Sequence, residues 1–345
     1  MTITEIAQKA GVSIGTVDRV IHKRGKVAPE TEKKINDVIA QFGYQPNPIA
    51  RQLKLNRNFV IGVLLPKLNT ECGYWEQCYE GIKQAERELK PFSICVALKE
   101  FDRSLKGSCL QAGKKLLEEK VDAMVIAPVM DEDCQNLLKE KNMVPYAFID
   151  SPLPNTKPQA TVAQNPFRGG LVAGRIMQML APKENKFMVF LTYTAAYNSR
   201  ERSRGFNSFF LKTKNILIDE FIFEGDLTQE DFDASLDKYF EKNQNLGGIF
   251  VVNDAVHYVG EYLKKRGLKE KVALVGYDMI LENKEALILG KIDCLIAQRP
   301  EKQGYSAIQS LYRKQILQQQ TENTEIPIDV FFIETVADLG DLSGF

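Results

Sequence analysis

The spacing of apolar residues changes once along the chain, near Phe59. Before that point apolar residues return every three or four positions in short bursts, the rhythm of amphipathic helices. Thr2 and Glu5 form a T-x-x-E capping box ahead of a face made by Ile3, Ile6, Ala7 and Ala10. Gly11 ends that helix, Ser13 caps the next, and Val17, Val20 and Ile21 make its inner side. A third helix opens at Pro29 with Glu30 and Glu32 in its first turn, carries Ile35, Val38, Ile39 and Phe42 as its stripe, and stops at Gly43. Two short helices joined by a Gly-containing turn predict a helix-turn-helix.

After Phe59, short continuous apolar runs alternate with amphipathic stretches. FVIGVLLP, FSICVALKEF, DAMVIAPV and VPYAFID form one series, and KFMVFLTYT, ILIDEFIF, LGGIFVVND and VALVGYD a second. Such runs mean parallel strands joined by crossover helices. The expected fold class is α/β: an all-α headpiece, then two doubly wound parallel-sheet subdomains. The tail IDCLIAQRPEKQGYSAIQSLYR reads as a strand and helix returning to the first subdomain, and IPIDVFFIETV as a strand pair closing the second. The expected divisions are 1–45 for the headpiece and 46–58 for a hinge, followed by 59–162 with 293–322 and 163–292 with 323–345 for the two subdomains.

Charge sharpens the picture. The whole chain is neutral, with 45 Lys+Arg against 45 Asp+Glu, yet residues 1 to 58 hold ten basic and five acidic side chains. A local basic excess points to a polyanion partner for the headpiece. With Val17, Val20 and Ile21 turned inward, the outward face of the second helix carries Ile14, Gly15, Asp18, Arg19 and His22. Arg19 suits a bidentate pair to guanine, while Ser13, Thr16 and the helix N-terminus suit phosphate, with Lys23 following close behind. In the hinge, Asn47 can cap a short helix beginning at Pro48, and Leu53 between Arg51 and Lys54 has the makings of a minor-groove wedge. Read alone, that segment also fits a plain linker.

In the α/β part the informative residues close the apolar runs, because ligands of parallel sheets gather at C-terminal strand ends. They are Asp102, Pro128, Asp150, Thr192, Asn253 and Asp278, with Tyr74 and Trp75 just after the first strand. Carboxylates beside aromatic rings suit polyol hydroxyls and their C–H faces. Asp102 and Asp278 fit helix caps equally well.

The runs I-x-x-I-A-x-x-A-G-V-S-x-x-T-V-x-R-V, V-x-x-x-T-x-x-K-I and Y-x-P-N-x-x-A-R-x-L resemble the headpiece and hinge of the LacI/GalR family of bacterial transcription regulators. R-x-x-G-F at Arg202–Phe206, N-D at Asn253–Asp254 and V-G-Y-D at Val275–Asp278 are similar to that family's core, which resembles periplasmic sugar-binding proteins with three crossovers around a cleft. The resemblance implies base-facing positions at Ile14, Gly15, Asp18 and Arg19, and backbone-facing ones at Ser13 and Thr16. It implies effector contacts by Arg202, Asp278 and Asp150, with Asn253 and Gln298 in the same cleft. Asp18 and Gly15 depart from the side chains common at those positions, so the operator sequence does not transfer.

The expected protein is a regulator bound to double-stranded operator DNA and controlled by a sugar or related polyol. No enzyme, cofactor or metal is expected. There is no phosphate-cradling glycine motif, and the only histidines are His22 and His257. Six cysteines lack C-x-x-C spacing and read as reduced. No run of about 18 apolar residues and no leader pattern occur, so the cytoplasm is expected, without membrane contact. The absence of Leu heptads past the core favours a homodimer matched to a near-palindromic site. The alternative from another class is a solute-binding protein without a DNA role.

Overall fold

In the computed structural model the two rhythms become two separate units, Met1–Asn56 and Arg57–Phe345. The structure describes residues 1–21, 25–44, 57–69, 73–192, 196–225, 228–243 and 245–336. In the first unit, α1 (Ile3–Ala10), α2 (Ile14–Ile21) and α3 (Pro29–Phe42) pack around Ile6, Val17, Val20 and Ile35. The capping box closes reciprocally: Thr2 N–H donates to Glu5 Oε2 at 2.8 Å, and Glu5 N–H to Thr2 Oγ1 at 3.3 Å. Gly11 and Gly43 end α1 and α3 at φ 67° and 60°, values that a side chain resists. Phe42 departs from its expected place in the core stripe. It is 44% exposed and carries the Lys9 ammonium 4.5 Å from its ring centroid, a use of an aromatic face that helical periodicity cannot tell from burial.

The second unit runs β1 (Phe59–Pro66), α4 (Tyr74–Leu89), β2 (Ile94–Phe101), α5 (Ser108–Glu118), β3 (Ala123–Ile126), α6 (Asp131–Leu137), β4 (Tyr146–Ile149) and β5 (Ala160–Gln164). It then repeats the plan with α7 (Pro166–Leu180), β6 (Lys186–Leu191), α8 (Tyr197–Phe210), β7 (Leu217–Ile222), α9 (Gln229–Phe240), β8 (Gly248–Val251), α10 (Val256–Lys265), β9 (Ala273–Tyr277), α11 (Leu281–Ile288) and β10 (Cys294–Ala297). The chain closes through α12 (Pro300–Gln315), β11 (Thr324–Ile326), β12 (Asp329–Phe331) and α13 (Ile333–Val336). One sheet has the order β11-β5-β4-β3-β1-β2 and the other β12-β10-β9-β8-β6-β7. Among the described strands only β12 runs antiparallel to its neighbour. Fully buried strands such as β3, β4 from its second residue, and β8 explain the unbroken apolar runs, since helices cover both faces of each sheet.

The return segments correct the expected divisions. β10 completes the second sheet beside β9, with Leu295 opposite Gly276, while α12 packs on α4 in the first lobe. β11 joins β5 in the first sheet, and only β12 lies in the second. A strand followed by a helix reads as one unit in sequence, but here the crossing falls between them at Arg299, whose φ of 48° and ψ of 65° turn the chain. Gln164, at the end of β5, ties the crossings together. Its Nε2 donates to Ala297 O at 3.0 Å and Pro327 O at 3.1 Å, and its Oε1 accepts from Tyr277 OH at 3.2 Å.

Candidate functional site

The two sheets end on a shared cavity lined by Tyr74, Trp75, Asp150, Arg202, Asn253, Asp278 and Gln298, and also by Arg103, Val129, Asn198, Ser199 and Asp254. Its enclosed space is about 30 Å³, and about 370 Å³ when the open mouth is counted. Seven of the ten sequence-predicted residues of the cleft therefore meet at one place. They are brought there by strand ends, by the first turn of α4 and by the second turn of α8.

Asp150 and Asp278 follow β4 and β9 directly, at φ 68° and 70°. Asp150 N–H bonds Val162 O of β5 at 3.1 Å, and Asp278 N–H bonds Ile296 O of β10 at 2.8 Å. Each ladder thus fixes its acid at the sheet's edge in a left-handed conformation that aspartate tolerates. Both oxygens of Asp150 accept from neutral donors: Oδ1 from Tyr74 OH at 2.9 Å, and Oδ2 from Asn198 Nδ2 at 2.8 Å. Asn198 belongs to the second lobe, so that bond joins the lobes within the site. Burial, and then the charge of Asp150, holds the Tyr74 phenol well above its ordinary range, so it donates. Tyr74 also meets Trp75 edge-on at 5.0 Å, giving the cavity an aromatic wall.

Arg202 is 2% exposed. Its Nη1 donates to Val252 O at 2.7 Å, its Nη2 to Gln298 Oε1 at 2.9 Å, and its guanidinium lies 3.7 Å from the Tyr277 ring centroid. Gln298 Nε2 passes the contact on to Asp278 Oδ1 at 2.9 Å. The helix that carries Arg202 is set by glycines. A Cβ on Gly205 of α8 would fall 2.1 Å from Phe167 O, and one on Gly170 of α7 2.1 Å from Arg202 O, so larger residues would push the two helices apart. Burial opposes the Arg202 charge, but Tyr277, Asp278 and Asp150 hold its pKa above the ordinary value. Burial pushes the Asp278 carboxyl up to about 7, against the pull of Arg202 and Gln298.

Among the described residues, two polar atoms of the wall are buried without a protein hydrogen bond: Arg202 Nε, a donor, and Asn253 Oδ1, an acceptor. Buried polar groups are normally paired, so such atoms mark places for a ligand or water to bind. Asn253 Nδ2 is already used, donating to Thr192 Oγ1 at 2.5 Å.

Three predicted residues stand outside the wall. Thr192 acts on it only through Asn253. Pro128 is buried and its neighbour Val129 lines the cavity instead. Asp102 is a correction: it accepts from Lys67 Nζ at 2.6 Å, Ser104 N–H at 2.9 Å and Ser104 Oγ at 2.5 Å. Those bonds hold its pKa down to about 2 and make it the cap of the turn after β2. Behind the wall, fully buried Asn283 Nδ2 donates to the carbonyls of Asp254, Tyr277 and Asp278 at 3.0, 3.0 and 2.9 Å. Gln303 accepts from Asp150 N–H at 2.7 Å and donates to Gln298 O at 2.8 Å. Sequence reading missed both amides, since each sits inside a helix with no motif around it. Asn198 lay in reach as a neighbour of Arg202 on the same helix face.

On α2, Ser13 and Thr16 share a hydroxyl hydrogen bond of 2.9 Å, and Ser13 Oγ also accepts from Thr16 N–H at 3.2 Å. Ile14, Gly15 and Arg19 are exposed, and Asp18 is half-buried. His22, Lys23, Asn47, Arg51, Leu53 and Lys54, expected at the DNA, lie outside the described residues.

Comparison with known proteins adds to this geometry. Residues 61–319 match the periplasmic binding protein domain family, and residues 2–47 match the bacterial regulatory proteins of the lacI family. The chain is 25% identical over 287 residues to the HTH-type transcriptional repressor PurR of Mannheimia succiniciproducens, covering 81% of this chain and 82% of that one. It is also 25% identical over 288 residues to catabolite control protein A of Priestia megaterium, with the same coverage. Among solved structures it is similar to a protein assigned as a LacI transcriptional regulator from Bacteroides fragilis. The TM-score is 0.74 and the identity 26%, over 81% of this chain and 99% of that one. The glucose-galactose binding protein GanP of Geobacillus stearothermophilus shares the fold at TM-score 0.74 and 19% identity, over 82% of this chain and 100% of that one.

Proposed function

The chain belongs to the periplasmic binding protein domain family and carries a lacI-family DNA-binding domain; it is a DNA-binding transcription repressor with a ligand-binding core, and on that premise we propose what its cleft and its recognition helix engage. The effector is a neutral sugar or cyclic polyol. The observation that carries this is the pair of unpaired buried atoms, Arg202 Nε and Asn253 Oδ1, in a wall that also holds three aspartates and two aromatic rings. A hydroxyl both donates and accepts, so the hydroxyls of a sugar or polyol suit both kinds of atom, and its ring face suits Tyr74 or Trp75. The acids disfavour an anionic ligand.

Ligand bound across the cleft couples the lobes, and the hinge segment 46–58 passes their state to the headpiece; two copies paired on a near-palindromic operator complete the switch. The outer strand β7, with Leu217 and Ile222 exposed, supports a second copy as the cover of that edge. Arg19 reads a base, and Ser13 and Thr16 meet the phosphate backbone. The site of action is the cytoplasm. Among the described residues no helix is long and apolar enough to cross a membrane. The cleft binds its ligand without turning it over: His257 is held by Asn283 Oδ1 at 2.9 Å and does not line the cavity.

Calorimetry of the full-length protein against monosaccharides, inositols and their phosphates tests the effector class. Saturable binding of a neutral member that also changes operator affinity is expected. Binding confined to phosphorylated members would overturn the polyol reading. By reciprocity, an effector that weakens operator binding must itself bind more weakly to the operator complex.

A further inference from the structure

Helices α5 and α6 of the first lobe meet at a glycine. A Cβ on Gly113 of α5 would fall 2.4 Å from Leu137 Cδ2 of α6, so the bare position is what lets the two helices close up. One turn earlier on the same faces, Cys109 and Cys134 meet with their sulfurs 3.5 Å apart, and both are buried. The helices are clamped around them: Leu110 N–H donates to Asp133 Oδ2 at 3.3 Å, and Lys106 pairs with Glu132 at 3.2 Å. Two thiols in contact on neighbouring helices are the starting geometry for a disulfide, whose sulfurs stand about 2 Å apart.

The pair also sits against the cleft. Val129 lines the cavity two residues before α6, and Asp131, the first residue of α6, reaches Arg200 of the second lobe at 2.8 Å. α5 is backed by β1 and β2, whereas α6 has seven residues, too few to hold a helix alone, and its N-cap Met130 makes no side-chain bond. A change in sulfur spacing is therefore taken up by α6, at the rim of the cavity. The hydrogen bond to Cys134, and then burial, hold the Cys109 thiol well above its ordinary pKa, so the pair is inert while α6 is in place and reacts when α6 opens.

We propose that Cys109 and Cys134 form a reversible disulfide, made by an oxidant of the low-molecular-weight disulfide class, that draws α6 towards α5 and parts Asp131 from Arg200 at the mouth of the cleft. On opening, one thiol gives its proton to water and attacks a sulfur of the oxidant, expelling one thiolate. The other does the same to the mixed disulfide so formed and expels the second. Two electrons pass to the oxidant, which leaves as two thiols carrying the two protons. The bridge forms whatever the effector is.

Full-length protein incubated with oxidised glutathione, alkylated and digested, is mapped by mass spectrometry. A peptide linked through Cys109 and Cys134 is expected, on a chain lighter by two hydrogen atoms, and dithiothreitol should remove it. Glutathione adducts on other cysteines with this pair still reduced, or links between chains only, overturn the site. Trp75, the single tryptophan, lines the same cavity and is buried, so its emission reports the rim. Emission should move to longer wavelength as the bridge forms and return on reduction, and the oxidant should leave it unmoved in Cys134→Ala. A wild-type emission that stays put while the bridge forms, or a shift that persists in Cys134→Ala, overturns the link to the cleft. Arg200→Ala, a change in the other lobe, should speed bridge formation about threefold, the value of one exposed ion pair holding α6 in place. A rate unchanged in Arg200→Ala overturns the part played by the rim pair.

Discussion

Strands β4 and β9 occupy the same slot in their sheets, between β3 and β5 in one and between β8 and β10 in the other. Each is followed by an aspartate near φ 70° whose N–H bonds the next strand. From there the lobes diverge. Asp150 is surrounded by neutral donors, Tyr74 OH and Asn198 Nδ2, and touches both lobes. Asp278 faces the buried Arg202 through Gln298, and its carboxyl sits at about 7, pushed up first by burial. The repeated fold supplies backbone geometry, whereas side chains from other elements decide what each acid can do. One acid accepts hydroxyl donors across the lobes, and the other holds a proton near neutrality.

The strongest way to break this comparison is to remove the charge on one side of it. Arg202→Ala should weaken effector binding by roughly a hundredfold and destabilise the core by roughly 3 kcal/mol, since it takes the donor from Gln298 Oε1 and leaves Asp278 without its cation. Calorimetry and denaturant melts measure the two effects. DNA affinity without effector should stay within a few-fold. Gln303→Leu comes next, because it takes the amide donor from Gln298 O and leaves Asp150 N–H with Val162 O alone. A loss of about 2 kcal/mol is expected, read as a lower denaturation midpoint at unchanged slope.

Asp278→Asn tests the proton itself. In the folded core the carboxyl keeps its proton up to about pH 7, while in the unfolded chain it gives it up near pH 4. Between those values the folded state binds the extra proton, so this group's contribution falls as pH rises through the window and is level above it. The slope is at most about 1.4 kcal/mol per pH unit. Melting of wild type and Asp278→Asn from pH 5 to 8 should therefore diverge, the variant gaining relative to wild type as pH rises. Parallel curves would show that Asp278 ionises normally. The smallest effect belongs to Asp102→Asn. With Asp102 paired to Lys67 outside the wall, effector affinity should stay within twofold, and a tenfold loss would return it to the site.

Much of this was legible in sequence because it follows from local rules. Capping, glycine stops and unbroken apolar runs located the helices and strands, and the rule about strand ends found Asp150, Asn253 and Asp278. The same rule failed at Asp102, where a lysine and a serine nearby in the chain or in space satisfy the acid first. It could not reach Asn283, Gln303 or Gln164, which are internal amides whose partners lie on other elements and carry no periodic signal. The side of the cleft on which β10 lies was equally hidden, since the turn at Arg299 leaves no mark in the hydrophobic pattern.

The amide of Gln164 has a consequence for ionic strength. It joins the crossings of the lobes through neutral, buried hydrogen bonds, whereas the contacts nearer solvent are ion pairs: Arg200 with Asp131 at 2.8 Å, and Arg299 with Asp329 at 2.5 and 2.8 Å. Exposed pairs contribute roughly 0–1 kcal/mol and are screened over about 8 Å at physiological salt. Added salt should thus loosen the rim while leaving the pivot intact, so the core can respond to its effector over a salt range in which the headpiece's hold on phosphate changes by orders of magnitude.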